Sequence, residues 1–142
     1  MRSVQDDALS TLARLRASQV DALELKLARK EQLGQRYRNT IVALDGLCRR
    51  EPPPGNHPAL AMNLGQYKGA LISVLENQKR DLALHEMDVA AERRVLLEAW
   101  RKQAGLEQLL AEQQRRVQRR RQSQEQKRTD DLAALRVQAA KV

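Results

Sequence analysis

The composition of this 142-residue chain is that of long amphipathic helices, since 31% of the residues are charged, 2% are aromatic and none is phenylalanine. It argues against a compact mixed fold, whose core would need bulky aromatic and β-branched side chains. The formal net charge of +8 suits acidic partners, and a single cysteine, Cys48, excludes an intramolecular disulfide.

The N-terminal stretch, MRSVQDDALSTL, carries acidic residues where a signal peptide would have its apolar core. No run of about 18 apolar residues follows, so no membrane-spanning helix is predicted. We therefore expect a cytoplasmic protein that reaches a membrane only through a partner.

The first predicted element is a helix over about residues 4–49, a range without proline. Apolar residues recur in it at alternating steps of three and four, the heptad spacing of a coiled-coil seam. A charge at Lys30 and a missing side chain at Gly34 interrupt that seam. Upstream it is predicted to continue through Ala8, Leu12 and Leu15 after a drift of one residue. Its main part comprises Val20, Leu23, Leu27, Lys30, Gly34, Tyr37, Ile41, Leu44 and Cys48.

A turn over residues 50–58 is predicted because all four prolines lie in the segment RREPPPGNHP, residues 49–58. Proline cannot donate a backbone hydrogen bond and pushes its predecessor out of the helical region, so three in succession end a helix. Pro58 suits the first turn of the next helix, with Asn56 or His57 as its cap.

The second predicted helix covers about residues 59–140 and again shows a heptad seam. A short connection between two amphipathic helices makes them antiparallel neighbours, so we predict one all-α domain over residues 1–142, an antiparallel coiled-coil hairpin. The second seam comprises Leu64, Tyr67, Leu71, Leu75, Gln78, Leu82, His85, Val89, Glu92 and Leu96, followed less strictly by Trp100, Leu106, Leu110 and Val117.

The two predicted helices are unequal, with lengths of roughly 70 and 120 Å at about 1.5 Å per residue. The C-terminal part of the second helix should therefore project alone. That part contains the segment RRVQRRRQSQEQKR, residues 115–128, which we call the basic run. It has seven basic residues and one acidic residue, and no apolar residue occurs over 118–131.

Catalytic patterns are missing from the sequence. HEMD, residues 85–88, lacks the second histidine of the zinc-binding helix motif, and no glycine-rich phosphate loop occurs. We therefore predict a protein that is not an enzyme and has no metal or cofactor. The basic run could bind an acidic protein surface, nucleic acid or anionic lipid, or could be a solvated face. Nucleic acid is not expected, because no aromatic residue lies nearby for base stacking.

A second candidate surface is a stripe of four residues at i, i+4, i+7 and i+11: Tyr67, Leu71, Val74 and Gln78. Packing is the default explanation for such a stripe. Val74, however, lies next to the seam residue Leu75, so one edge of the stripe could face outward.

The chain resembles the FliJ family of the flagellar type III export apparatus and, more distantly, the YscO-type stalk proteins of virulence-type secretion systems. The resemblance spans nearly the whole chain. It is carried, in order, by the segments LSTLARLRASQVDALE, NLGQYKGALISVLENQKRDL, EAWRKQAGLEQLLAEQQRR and EQKRTDDLAA.

That resemblance implies a two-helix coiled coil that inserts into the export ATPase hexamer, contacts the cytoplasmic domain of the export gate and assists export chaperones. It also implies a location peripheral to the inner membrane. Separately from the resemblance, an intramolecular hairpin predicts a monomer. The gate-contacting stripe of the family corresponds to Tyr67, Leu71, Val74 and Gln78, and its first-helix half falls around residues 41–47. The expected ATPase-binding residues are Arg115, Arg116, Arg119, Arg120, Arg121, Lys127 and Arg128.

Three alternatives remain at this level. The chain could be a virulence-type secretion stalk, a basic coiled coil that binds nucleic acid, or a structural or chaperone coiled coil that dimerises through its seam.

Overall fold

The computed structural model describes residues 4–52, 54–55 and 57–141, with side chains from Asp7 onward. Two helices follow one another, α1 over Val4–Arg49 and α2 over Pro58–Ala140. The described residues contain no strand. The predicted all-α class is therefore confirmed.

Local backbone chemistry sets the ends of the helices at the connection. The N–H of Arg50 donates to the carbonyl of Leu47 at 3.3 Å, which closes the last turn of α1. Pro58 is the first residue of α2, where a missing N–H costs nothing. The carbonyl of His57 accepts the first helical bond, from Ala61 N–H at 3.0 Å. Asn56, the other predicted cap, lies outside the described residues.

The structure divides into two compact units, which we call the hairpin unit (residues 19–98) and the terminal unit (described residues 4–18 and 99–141). In the hairpin unit, α1 and α2 pack side by side. Lys26 pairs with Glu92, whereas Arg38, further along α1, pairs with Glu86. Partner numbers on α2 fall as those on α1 rise, so the two helices are antiparallel, as predicted.

Burial in the hairpin unit follows the predicted seam with one exception. Every seam residue predicted over 20–48 on α1 is buried or half-buried. On α2, the prediction of Tyr67 as a seam residue was wrong, because its side chain is 56% exposed. Lys68 is half-buried instead and keeps the strict heptad steps from Leu64 to Leu71. Its aliphatic stem can cover the seam while the ammonium reaches water.

The terminal unit corrects the seam on α1 as well. Ala8, Leu12 and Leu15, predicted after a drift, are all exposed. The residues that directly follow them are half-buried instead, and these continue the heptad spacing from Val20 without drift. They are Leu9, Ala13 and Arg16. A seam position can thus be occupied by a small side chain or by a long polar one.

The same correction applies to α2 in the terminal unit. The predicted seam residues Trp100 and Val117 are exposed, whereas Leu106 is buried and Leu110 is half-buried. Strict heptad steps lead through Ala99, Gln103, Leu106, Leu110 and Gln113, all of them at least partly covered. Beyond Gln113, every side chain described over 114–141 is exposed, so this part of α2 contributes no buried or half-buried residue.

Candidate partner-binding surfaces

A group of charged and polar residues, which we call the polar layer, interrupts the seam of the hairpin unit. It consists of Lys26, Lys30, His85, Asp88 and Glu92. The Nζ of Lys30 lies 2.7 Å from Asp88 Oδ2 and 3.1 Å from Glu92 Oε1. The Nζ of Lys26 lies 2.8 Å from the same Glu92 oxygen, and the Glu92 side chain is only 14% exposed. Two ammonium groups therefore neutralise one largely covered carboxylate.

Gly34 provides the space that the imidazole of His85 occupies. A Cβ at Gly34 would lie 3.2 Å from His85 Cδ2, tighter than most Cβ contacts in proteins. The carbonyl of Lys30 can only accept, so His85 Nε2 carries a proton and donates to it at 2.6 Å. The ring of Tyr37 lies against the imidazole with a centroid separation of 5.6 Å. Both irregular residues of the α1 seam, Lys30 and Gly34, thus contact polar seam residues of α2.

Ion pairing shifts the pKa of three groups in the polar layer. The hydrogen bond from Lys30 lowers the pKa of the Asp88 carboxyl. The pKa of Glu92 is lowered first by Lys26 and then by Lys30. In return, the hydrogen bond to Asp88 raises the pKa of the Lys30 ammonium. Each group is thereby held in its charged form.

Acid should remove the contribution of the polar layer to stability. Because the pKa values of Asp88 and Glu92 are lowered on folding, their contribution is complete above the unfolded values of about 4 and is lost as pH falls through the folded values. Lys30 also contributes stability, but with the opposite pH dependence: because its pKa is raised on folding, that contribution is lost only as pH rises into strong alkali. We expect the Asp88→Asn/Glu92→Gln variant to melt below the wild-type protein at pH 7, and the two curves to converge towards pH 2.

Circular dichroism melting between pH 7 and pH 2 would test this expectation. Glu76→Gln is a suitable control because Glu76 forms only an exposed pair with Lys79 on the same helix, at 3.4 Å. Exposed pairs of this kind contribute little to stability. The melting temperature of this variant should therefore fall with pH as that of the wild type does. A difference in melting temperature between the wild type and the doubly substituted variant that stays the same at every pH would contradict the expectation.

The two flanks of the seam differ in chemistry. On one flank, residues that directly follow seam positions pair across the helices: Glu31 Oε1 lies 2.7 Å from Arg93 Nη2, and Glu86 Oε1 lies 3.7 Å from Arg38 Nη1. Residues that directly precede seam positions therefore share the opposite flank. Lys26 is one of these, and its charge helps to lower the pKa of Asp88, which directly precedes the seam residue Val89.

Near the connection, this second flank is apolar and exposed. Tyr67 and Val74 directly precede the seam residues Lys68 and Leu75, and their side chains are 56% and 46% exposed. Leu47 holds the equivalent position before Cys48 on α1 and is 36% exposed. We call Leu47, Tyr67 and Val74 the apolar flank.

The structure separates the four residues of the predicted gate-contacting stripe into two kinds. Leu71 and Gln78 are half-buried seam residues, whereas Tyr67 and Val74 are accessible. Leu47 was not singled out from the sequence. A usable signal existed, because Leu47 directly precedes a seam residue as Tyr67 and Val74 do. Whether these residues contact the gate stays a prediction.

The predicted ATPase-binding residues all lie on the exposed part of α2 in the terminal unit. Arginines occur there at spacings of three and four, as in Arg116–Arg119 and Arg115–Arg119. Like charges at these spacings destabilise an isolated helix by a few tenths of a kcal/mol per pair. A surrounding anionic partner would remove that repulsion. The residues concerned are Arg115, Arg116, Arg119, Arg120, Arg121, Lys127 and Arg128.

Two further site types were sought in the described part of the chain. No three His, Cys, Asp or Glu side chains come close enough there to hold a metal ion. None of the described helix is long and apolar enough to cross a membrane.

Comparison with known proteins identifies the family. A family model described as "Flagellar FliJ protein" matches residues 5–141, which include both helices and the connection. The chain belongs to the FliJ family. This makes it a structural component of the flagellar protein export apparatus. Searches of curated proteins and of solved structures gave no match to this FliJ-family chain.

Proposed function

We propose that this FliJ-family chain is a non-enzymatic stalk that binds the export ATPase hexamer through the basic run and the cytoplasmic domain of the export gate through the apolar flank. The observation that carries the proposal is the exposed helix after Gln113. It combines a high density of arginines with described side chains that are all exposed. It also lies in a chain whose family works in flagellar export.

The charge pattern of the basic run suits insertion into a channel rather than docking on one side. Arg119, Arg120 and Arg121 are consecutive, and successive residues of a helix point about 100° apart. Together with Arg115 and Arg116, they direct positive charge to all sides of the helix. A ring lined by acidic loops would meet favourable charge in every orientation, which favours fast and specific association.

The gate contact is proposed for a different reason. The apolar flank presents an exposed aromatic ring and two exposed aliphatic side chains, and interface hot spots are commonly aromatic residues. It also includes two residues of the stripe that the family resemblance implies, Tyr67 and Val74.

Location, oligomeric state and chaperone contacts complete the proposal. The chain would be cytoplasmic and would reach the inner membrane through the ATPase and the gate. As the helices cover each other's seam within one chain, it would be a monomer on its own. Export chaperones are a further expected partner, for which we assign no surface.

The decisive experiment is ATP hydrolysis by the purified export ATPase of the same organism, titrated with this chain. We expect a saturable rise in the rate, together with a shift of the ATPase towards hexamers in light scattering. Absence of both effects, and of co-migration, would reject the ATPase part of the proposal. Tight, steeply salt-dependent binding to random RNA would then favour the nucleic-acid alternative.

A further inference from the structure

The seam around the polar layer does not by itself specify how the two helices align. On α1 the polar layer is flanked by Leu23 and Leu27 on one side and by Ile41 and Leu44 on the other. Aliphatic residues at heptad spacing can exchange partners when one helix shifts by seven residues, because each again meets an aliphatic partner. A specific alignment needs residues that tolerate only one partner.

His85 is such a residue. In the structure it lies against Gly34 and donates to the carbonyl of Lys30. A shift of one heptad in either direction would place it opposite Leu27 or Ile41. Neither leaves the space that glycine leaves, so the imidazole could not approach the backbone of α1 as closely as it does beside Gly34.

Glu92 restricts the alignment further. After one shift, Gln19 and Leu23 would replace Lys26 and Lys30 beside its carboxylate. After the opposite shift, Leu33 and Tyr37 would take those places. Neither pair offers a cation, so a carboxylate that is only 14% exposed would be left unpaired, an arrangement that strongly destabilises a fold.

We propose that the polar layer is the register determinant of the hairpin unit: it holds α1 and α2 in a single alignment, at the expense of stability that an aliphatic seam would provide. A buried polar residue at a seam position is known to specify register in this manner. The inference does not depend on the function proposed above. The competing explanation is that the short connection, residues 50–57, sets the alignment alone.

Disulfide trapping can read the alignment directly, because only residues on facing positions come within bonding distance. In a Cys48→Ser background, Leu44→Cys with Leu75→Cys reports the alignment in which Gly34 faces His85. Leu44→Cys with Leu82→Cys or Lys68→Cys reports the two shifted alignments. With the polar layer intact, we expect only the first pair to cross-link.

The test variant carries Lys30→Leu, His85→Leu and Glu92→Leu. We expect cross-linking of the first pair and of at least one shifted pair, with a melting temperature equal to or above that of the parent. The control is Glu76→Leu/Lys79→Leu, which also replaces one acid and one base, both exposed and both outside the connection. It should cross-link only in the first pair. If the test variant is helical and also cross-links only in the first pair, the proposal is overturned, and the connection sets the alignment.

A second set of variants covers the case in which the leucine variant is not helical. Lys26→Glu/Lys30→Glu places acids beside Asp88 and Glu92, so cross-linking of the first pair should fall severalfold. Adding Asp88→Lys/Glu92→Lys should restore it by reversing the polarity of the whole layer. Cross-linking that is unaffected by the two lysine-to-glutamate changes would also overturn the proposal.

Discussion

Reversing Arg119, Arg120 and Arg121 to glutamate should weaken binding to the export ATPase at least tenfold at physiological salt, or by about 1.4 kcal/mol or more. The three side chains are exposed, in a part of α2 where no described side chain is buried or half-buried. The change therefore leaves the seam intact, and the helix content should not fall. Like charges facing an acidic surface slow the encounter and raise the rate of dissociation. Surface plasmon resonance and the stimulation of ATP hydrolysis would both measure the loss.

A matched control separates the basic run from net charge in general. Arg36, Arg80 and Arg94 are exposed arginines of the hairpin unit, and reversing them changes the net charge of the chain equally. We expect affinity within about twofold of wild type for this control, since distant exposed charges are largely screened at physiological salt. Equal weakening in both variants would assign the effect to net charge. Unchanged affinity after charge reversal in the basic run would reject its proposed role in binding the export ATPase.

Truncating two residues of the apolar flank should abolish motility without unfolding the chain. Tyr67→Ala with Val74→Ala truncates two exposed side chains, and such surface changes typically alter stability by no more than about 0.5 kcal/mol each. An aromatic anchor at an interface, by contrast, commonly contributes about 2 kcal/mol or more to binding. We therefore expect loss of swimming in soft agar and of secreted export substrates, with unchanged melting and unchanged ATPase stimulation.

The control for that experiment lies on the same helix. Leu84 and Met87 are also exposed, and they lie outside the apolar flank. Leu84→Ala with Met87→Ala should leave motility intact. Leu71→Ala is a poor probe of the gate contact, because Leu71 is a half-buried seam residue and its truncation would also destabilise the hairpin. Normal swimming in the Tyr67/Val74 variant would reject the proposed gate surface.

The sequence by itself determined the secondary structure and the fold class. Proline and glycine act locally on the backbone, so Pro58 could be predicted to suit the first turn of a helix. A helix ending near Arg49 could be predicted from the three prolines that follow. Heptad spacing is also a local property, so most of the seam from Val20 to Leu96 could be read from periodicity alone. The segments that resemble the FliJ family were equally visible, and so was the basic run, because charge density needs no tertiary information.

Tertiary structure decided which residues at the edge of the seam are covered. Periodicity favoured the bulky apolar residues Tyr67 and Leu12, whereas the helices cover Lys68 and Ala13 at the strict heptad positions. Burial depends on the position of a residue relative to the partner helix and not on its hydrophobicity. For the same reason, only the structure separates the accessible part of the predicted stripe from its packed part.

Only the tertiary structure could also explain Lys30 and Gly34. In the sequence they are two imperfections of one helix, 51 residues or more from His85, Asp88 and Glu92. Two heptad patterns are compatible with several alignments that differ by seven residues, so the pattern alone cannot say which polar residues meet. The structure brings Gly34 to His85 and Lys30 to Asp88 and Glu92. The physical reason is that a polar group in a seam is stable only when its partner on the other helix is complementary.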